Sequence, residues 1–480
     1  MDFASCFFSS HSDLIELYLR TCAMKRKAES VEKAESSMTL EVSLPSGRCA
    51  TVSVLESGTV ADLKIAAQKS LVQGFLRLAA PDGHLLDPTK PLGLSGLQDG
   101  DSLTAVAQQP KIAATHRAFA LWCVGGDRIV TWGDPHYGGD SSRVQNQLRN
   151  VTQICATGSA FAAILADGSV ATWGGVNCGG GSSTVQDKLK NVQRICGTES
   201  AFAAILADGS VVTWGDPDCG GDSSTVQDQL RNAQHICSTW GAFAAILADA
   251  TVVTWGHQDR GGDSSRVQSQ LRSVVQLYAT QGAFAAILAD ATVVTWGGPD
   301  YGGDSSRVQH QLRNVQQICA TARAFAAILA DGSVVTWGHI DWGGDSSRVQ
   351  HHLRNVQHIC GTFHAFAAIL ADGSVVTWGE PQCGGNSSRM QSQLRNVQKI
   401  CGGAFAFAAI LADGSVVTWG DPYRGGDSSE VQHQLSSVQQ ICATVRAFAA
   451  ILTDGRVVTW GSPGSGGDSS RVRDHVIVRI

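Results

Sequence analysis

The chain has 480 residues, 43% of them hydrophobic and 16% charged, with a formal net charge of −6. That length allows more than one domain and a large core, the small charge argues against nucleic acid as a partner, and without an apolar run of roughly 18 residues no membrane-spanning helix is expected. The 14 cysteines include no Cys-x-x-Cys pair, so no metal site is expected, and a reducing compartment, cytoplasmic or nuclear, is favoured.

Residues 1–37 read as a leader. Leu14, Ile15, Leu17, Tyr18 and Leu19 have the spacing of a short amphipathic helix, and Lys25-Arg26-Lys27 is a weak import-type cluster. A solvated, partly disordered segment is the expectation.

Residues 38–108 change character. MTLEVSLPSG alternates through Leu40, Val42 and Leu44, turns at Pro-Ser-Gly and continues into ATVSVL, which predicts a β-hairpin. Thr59 is a good N-cap for VADLKIAAQKSL, whose helical face runs through Val60, Leu63, Ile65, Ala66 and Leu71. FLRLAAPDGHLLD predicts two short strands around Pro81-Asp82-Gly83, and SLTAV a last one. The Thr59-Val60-x-x-Leu63-Lys64 helix start, Gly83-x-Leu85-Leu86-Asp87 and Leu97-x-Asp99-Gly100-Asp101-x-Leu103 resemble the ubiquitin-like (β-grasp) fold. The resemblance implies docking to ubiquitin-pathway proteins. No Gly-Gly follows the last strand, so the segment resembles a built-in ubiquitin-like domain and not a conjugated modifier. A small α+β cap without a ubiquitin-related role is the alternative.

Residues 111–480 are an array. The tryptophan of a Thr-Trp-Gly triplet recurs nine times, from Trp132 to Trp460, each 41 residues after the last. A fixed period of this size means repeated units that stack to bury a shared core. In the second copy Val151–Thr157, Ala160–Ala166 and Ser169–Trp173 read as three strands, with Asp167-Gly168 as a hairpin turn. Ala-Phe-Ala-Ala-Ile-Leu-Ala is apolar on both faces, as expected of a sheet packed between two others. A helical solenoid is disfavoured, because seven residues make barely two turns and SVVTW is strand-like. Three or four strands per unit of about 40 residues is the size of a propeller blade. Phe161–Leu165, Asp167-Gly168 and Val170-x-x-Trp173-Gly174 resemble the repeats of the regulator of chromosome condensation family. The Leu189, Asn191, Val192 stretch resembles the compact bacterial version found in a β-lactamase inhibitor. Two departures stand out. Asp249-Ala250 and Asp290-Ala291 lack the hairpin glycine, and nine copies exceed the seven blades usual in that family. The expectation is a mainly β chain, a nine-unit propeller or an open superhelix. The Val476–Ile480 tail would close it as a strand at the seam.

Seven cysteines (Cys155 to Cys442) share one position in the first strand and read as small buried hydrophobes. Variation between copies concentrates in two places: the tetrapeptide after Trp-Gly and the dyad before Ala-Phe. Three antiparallel strands put both at one end of the blade. The candidate partner-binding residues are Tyr137, Trp240, Arg260, Tyr301, Trp342, Phe363, His364, Arg424 and Arg446, since aromatic and Arg side chains anchor interfaces. Tyr301 and Trp342 are expected side by side, with Arg260 and Arg424 one copy further out on either side. Drift in exposed loops is the alternative.

No catalytic residues stand out. Gly-Gly-Asp-Ser-Ser recurs and reads as a cap for the turn that follows. The row Arg143, Arg266, Arg307, Arg348, Arg389 and Arg471 has an Asp or Asn three positions earlier, which suggests local neutralisation. No cofactor is expected. The reading is a non-enzymatic scaffold, with a protein partner on the rim and the ubiquitin-like domain coupling it to ubiquitin-pathway machinery. The family resemblance allows a nucleotide-exchange factor or chromatin-associated regulator of a small GTPase, but no copy carries an insertion that could form a wedge. A ubiquitin ligase would need a catalytic domain, and none is expected after the last repeat.

Overall fold

The structure is a computed structural model that describes residues 36–470 apart from 72–74, 89, 125, 127 and 128. The leader readings, Arg471 and the Val476–Ile480 tail lie outside the described residues. The chain divides into two compact units, one running to Ala107 and the other from Gln108.

In the first unit, β1 (Ser37–Ser43) and β2 (Cys49–Leu55) form an antiparallel hairpin. Its alternation points Leu40, Val42 and Val52 into the core. Helix α1 (Val60–Leu71) starts at a reciprocal cap: the Thr59 N–H donates to Asp62 Oδ2 (2.8 Å) and the Asp62 N–H to Thr59 Oγ1 (3.3 Å). Its inner face is Val60, Leu63, Ala67 and Leu71. Ile65 and Ala66, expected inside, are half-buried. β3 (Phe75–Ala79) and β4 (Ser102–Gln108) complete a sheet of order β2-β1-β4-β3, with β4 parallel to β1. The second strand expected around Pro81-Asp82-Gly83 shrinks to one bridge, Ala79 to Leu85. Leu86 turns inward while Leu85 stays exposed, so little side-chain burial supports a longer strand.

The second unit contains nine three-stranded antiparallel sheets, each built from consecutive strands of one repeat. In blade three these are Val192–Gly197, Ala201–Leu206 and Val211–Gly215. The first strands of neighbouring blades face one another around the centre. The middle strand is buried on both faces, as its sequence requires. Its Ala201, Ala203 and Ile205 receive Phe243, Ala245 and Trp255 of blade four, a small face against a large one. Phe243 and Trp255 stack across the strand pair at 5.1 Å, and Trp255 Nε1 donates to the Gly220 carbonyl of the preceding blade at 3.0 Å. Gly220 is left-handed (φ 88°), and a Cβ there would sit 2.7 Å from the Phe243 ring. This is why a glycine follows each tetrapeptide; the second, Gly221, is needed because a Cβ there would sit 2.6 Å from Gly215 O.

The ring closes. Phe119 and Trp132 of blade one pack on Ala447, Ala449 and Ile451 of blade nine. Trp132 Nε1 donates to Gly466 O at 3.1 Å, the same bond that joins every other pair of blades. The fold is a nine-bladed β-propeller.

The seven repeated cysteines carry free thiols and are half-buried. Burial holds them protonated; the Cys360 and Cys442 thiols are pushed up to about 11.

Candidate functional site

The Gly-Gly-Asp-Ser-Ser segment is structural. Asp222 Oδ1 accepts the Ser224 N–H at 2.8 Å. Ser223 is buried, shares a hydrogen bond with Thr213 and donates to Gln227 Oε1, while Gln227 Nε2 donates to Val211 O. The motif therefore ties the outer connection to its own blade. Asp140, Asp263, Asp304 and Asp345 hold their carboxyls low chiefly through the same N–H bond, with a smaller contribution from the Arg three positions on. They form no contact ion pairs with those arginines among the described residues, so Arg143, Arg266, Arg307 and Arg348 are not paired in the way the spacing suggested.

The dyad and the tetrapeptide do share one rim. A buried threonine links them: Thr239 Oγ1 accepts the Ala242 N–H at 3.0 Å and donates to Arg260 O at 2.9 Å. Two zones result. First dyad residues face the central channel, and second dyad residues face outward onto the tetrapeptides.

Around the channel mouth, backbone hydrogen bonds run head to tail between blades. The His116 N–H donates to Gly158 O, Gly158 to Glu199, Glu199 to Trp240, and onward until Phe363 donates to Ala404; at the seam the Val445 N–H donates to His116 O. The channel holds a cavity of about 470 Å³, walled by small residues and the buried threonines. Rings from blades one, four and seven converge over it: His116 to Trp240 is 6.3 Å and Trp240 to Phe363 is 6.1 Å. Glu199 extends over Gly158, where a Cβ would collide with its carboxyl, and reaches His116 Nε2 at 3.3 Å. Burial pushes the Glu199 carboxyl up to about 7, against the pull of Arg260. Burial, helped by Arg117, lowers the His116 imidazole. Both groups are driven toward their neutral forms.

In the outer zone, Arg323 lies over the Tyr301 ring (4.9 Å) and the Trp342 ring (4.4 Å). Trp342 meets His364 edge-on at 3.9 Å, and His364 stacks near Phe405 at 5.6 Å. Arg424 covers Phe405 at 3.9 Å and reaches Asp421 at 3.4 Å. Arg117 covers Tyr137 at 4.9 Å. Ile340 and Tyr423 project freely, 66% and 88% exposed.

Of the residues singled out, Tyr301, Trp342, His364 and Arg424 thus fall in one continuous band over blades five to eight. Trp240 and Phe363 belong to the channel mouth instead. Tyr137 sits on blade one, Arg260 against Gly241 of blade four, and Arg446 stands exposed on blade nine. Arg424 is two blades from Trp342, not one; Cys383 occupies the intervening position, and His364 and Phe405 bridge the gap. Arg323, Phe405, His116 and Glu199 lie among the variable dyads but were not singled out, because nothing in a linear comparison shows which dyad residue touches which tetrapeptide.

No family model matches the chain, and no curated protein matches it. Among solved structures it is similar to Prp20p from Saccharomyces cerevisiae, an RCC1 protein, with 15% identity over 57% of this chain and 82% of that chain and a TM-score of 0.36. That work concerned binding to Gsp1p and histones. It is also similar to the CRINKLY WD40 ectodomain of the Arabidopsis thaliana receptor kinase ACR4, with 16% identity, 56% and 93% coverage and a TM-score of 0.32. A structure described as molecular mimicry of SUMO in DNA repair matches 16% of this chain and 96% of its own at 23% identity and a TM-score of 0.15. Among the described residues, no helix is long and apolar enough to cross a membrane, and no group of three His, Cys, Asp or Glu side chains is placed to hold a metal ion.

Proposed function

We propose that the protein is a non-enzymatic scaffold whose propeller holds a protein partner on the variable rim. The observation that carries this is where the nine near-identical repeats differ. Their differences gather at one rim and assemble there into a band of aromatic, Arg and His side chains, while the Asp-Gly rim stays nearly constant. Interface anchors have this composition. The first unit, with its hairpin, helix and parallel last strand, would act as a ubiquitin-like module that links the partner to ubiquitin-pathway proteins. Exchange-factor activity toward a small GTPase finds less support. A wedge would need a long insertion, and the blades share one 41-residue period.

Affinity capture with the full chain tests the rim. Tyr301→Ala with Trp342→Ala should abolish capture of the partner with the melting temperature little changed. Ser210→Glu with Ser333→Glu, at the opposite rim, should leave capture intact. The reverse pattern would make the variation drift.

A further inference from the structure

Blades one, six and eight each place an arginine against an aromatic ring on the rim. Two of the three bring their own carboxylate. Arg117 Nη1 lies 3.8 Å from Asp134 and Arg424 Nε 3.4 Å from Asp421. Both acids occupy the first position after Trp-Gly. In blade six that position is His339.

Among the described residues, Arg323 consequently has no contact ion pair of the kind that Arg117 and Arg424 make. Its guanidinium lies over both the Tyr301 and the Trp342 ring. Its Nε is buried and has no hydrogen-bond partner among the described residues, and the same is true of His339 Nδ1 and His364 Nδ1. Both imidazoles pack on the same indole, at 5.8 and 3.9 Å from Trp342. Glu380 acts on His364 from a distance, with no hydrogen bond between them among the described residues. Three buried nitrogens around one ring thus lack hydrogen-bond partners among the described residues, and the Arg323 Nε–H among them can only donate. A native fold seldom leaves such groups unanswered, since a buried polar group without a partner loses its hydration for nothing. The guanidinium fork is shaped for the two oxygens of a carboxylate. Exposed Ile340, in the same turn as Trp342 and next to His339 in the chain, offers apolar surface for the residues flanking that carboxylate, which favours a peptide over a free ion.

We propose that the rim of blade six, built from Arg323, His339, His364 and Trp342, receives an Asp or Glu side chain of an acidic peptide segment in a protein partner. This rests on the reading of the rim as the partner-binding face and names the chemistry it selects.

The test uses the full chain and fluorescence anisotropy with a short fluorescein-labelled Glu-rich peptide, its Gln-rich counterpart and inorganic phosphate as competitor. The Glu-rich peptide should bind at least about tenfold more tightly than the Gln-rich one, as charge-assisted bonds require. Arg323→Met keeps the apolar stem and should lose about tenfold in affinity. His339→Asp restores the acid found in blades one and eight. It should weaken peptide binding to a similar degree while raising the melting temperature, a combination that a purely structural role does not produce. Because His339→Asp is expected to fold better, it keeps the test decisive if Arg323→Met fails to fold. The proposal is overturned if the Glu-rich peptide does not bind, if the Gln-rich peptide binds as well, if phosphate competes as strongly as the peptide, or if neither variant changes affinity. Should these fail while Tyr301→Ala with Trp342→Ala still abolishes partner capture, the acidic-ligand inference falls and the rim reading stands.

Discussion

Glu199 and His116 meet at the channel mouth under opposing pH demands. The Glu199 carboxyl is raised to about 7 by burial, whereas an unfolded Glu ionises near ~4.3. Its contribution to stability is therefore fully present below about 4.3 and is lost as pH rises through about 7. The lowered His116 works the other way. Its contribution is present above the ordinary value of ~6.5 and is lost as pH falls below it. Glu199→Gln removes the first effect and can still donate to His116. The variant should gain on the wild type in melting temperature between about pH 5 and about pH 8; a gap that stays constant across that range would show that Glu199 ionises normally. The spacing of copies placed both residues on one rim. It did not pair them, because Gly158 of the blade between them has to be small for the carboxyl to cross.

At the scale of elements, most of each blade was legible. An apolar run with no alternation announced a strand buried on both sides, and Asp-Gly announced its turn. The two exceptions are informative. Ala250 and Ala291 take the left-handed conformation that glycine holds elsewhere, with φ of 63° and 61°. The hairpin register is unchanged in both blades, so strand pairing and burial overrule the local preference. Ala250→Gly and Ala291→Gly should each stabilise the fold by about 1 kcal/mol, read as a higher denaturant midpoint at unchanged slope. A drop in midpoint would mean that the alanine methyls pack favourably. In the first unit the same logic explains a miss: GHLLD has strand-like residues but one inward side chain, Leu86, and so forms a bridge instead of a strand.

For the whole molecule, ring closure makes the first and last blades equivalent to internal neighbours. Trp296 in blade five and Trp132 at the seam are both 4% exposed, and each donates to a glycine carbonyl of the adjoining blade at 3.1 Å. Trp296→Ala and Trp132→Ala should therefore cost alike, roughly 3–5 kcal/mol each. An open superhelix would make the seam variant nearly neutral, so equilibrium unfolding of the two side by side checks closure directly. The sequence by itself determined the number of units, the three strands in each, the buried middle strand and the rim on which the copies differ, because all of these follow from local periodicity and strand direction. Only the tertiary structure decided that blade nine meets blade one, that Trp240 reaches His116 and Phe363 across the channel, and that Arg323 lies over both the Tyr301 and the Trp342 ring with no contact ion pair among the described residues. Those facts depend on the angle between stacked blades and on side-chain reach, which accumulate over the whole ring and leave no signal in any one repeat.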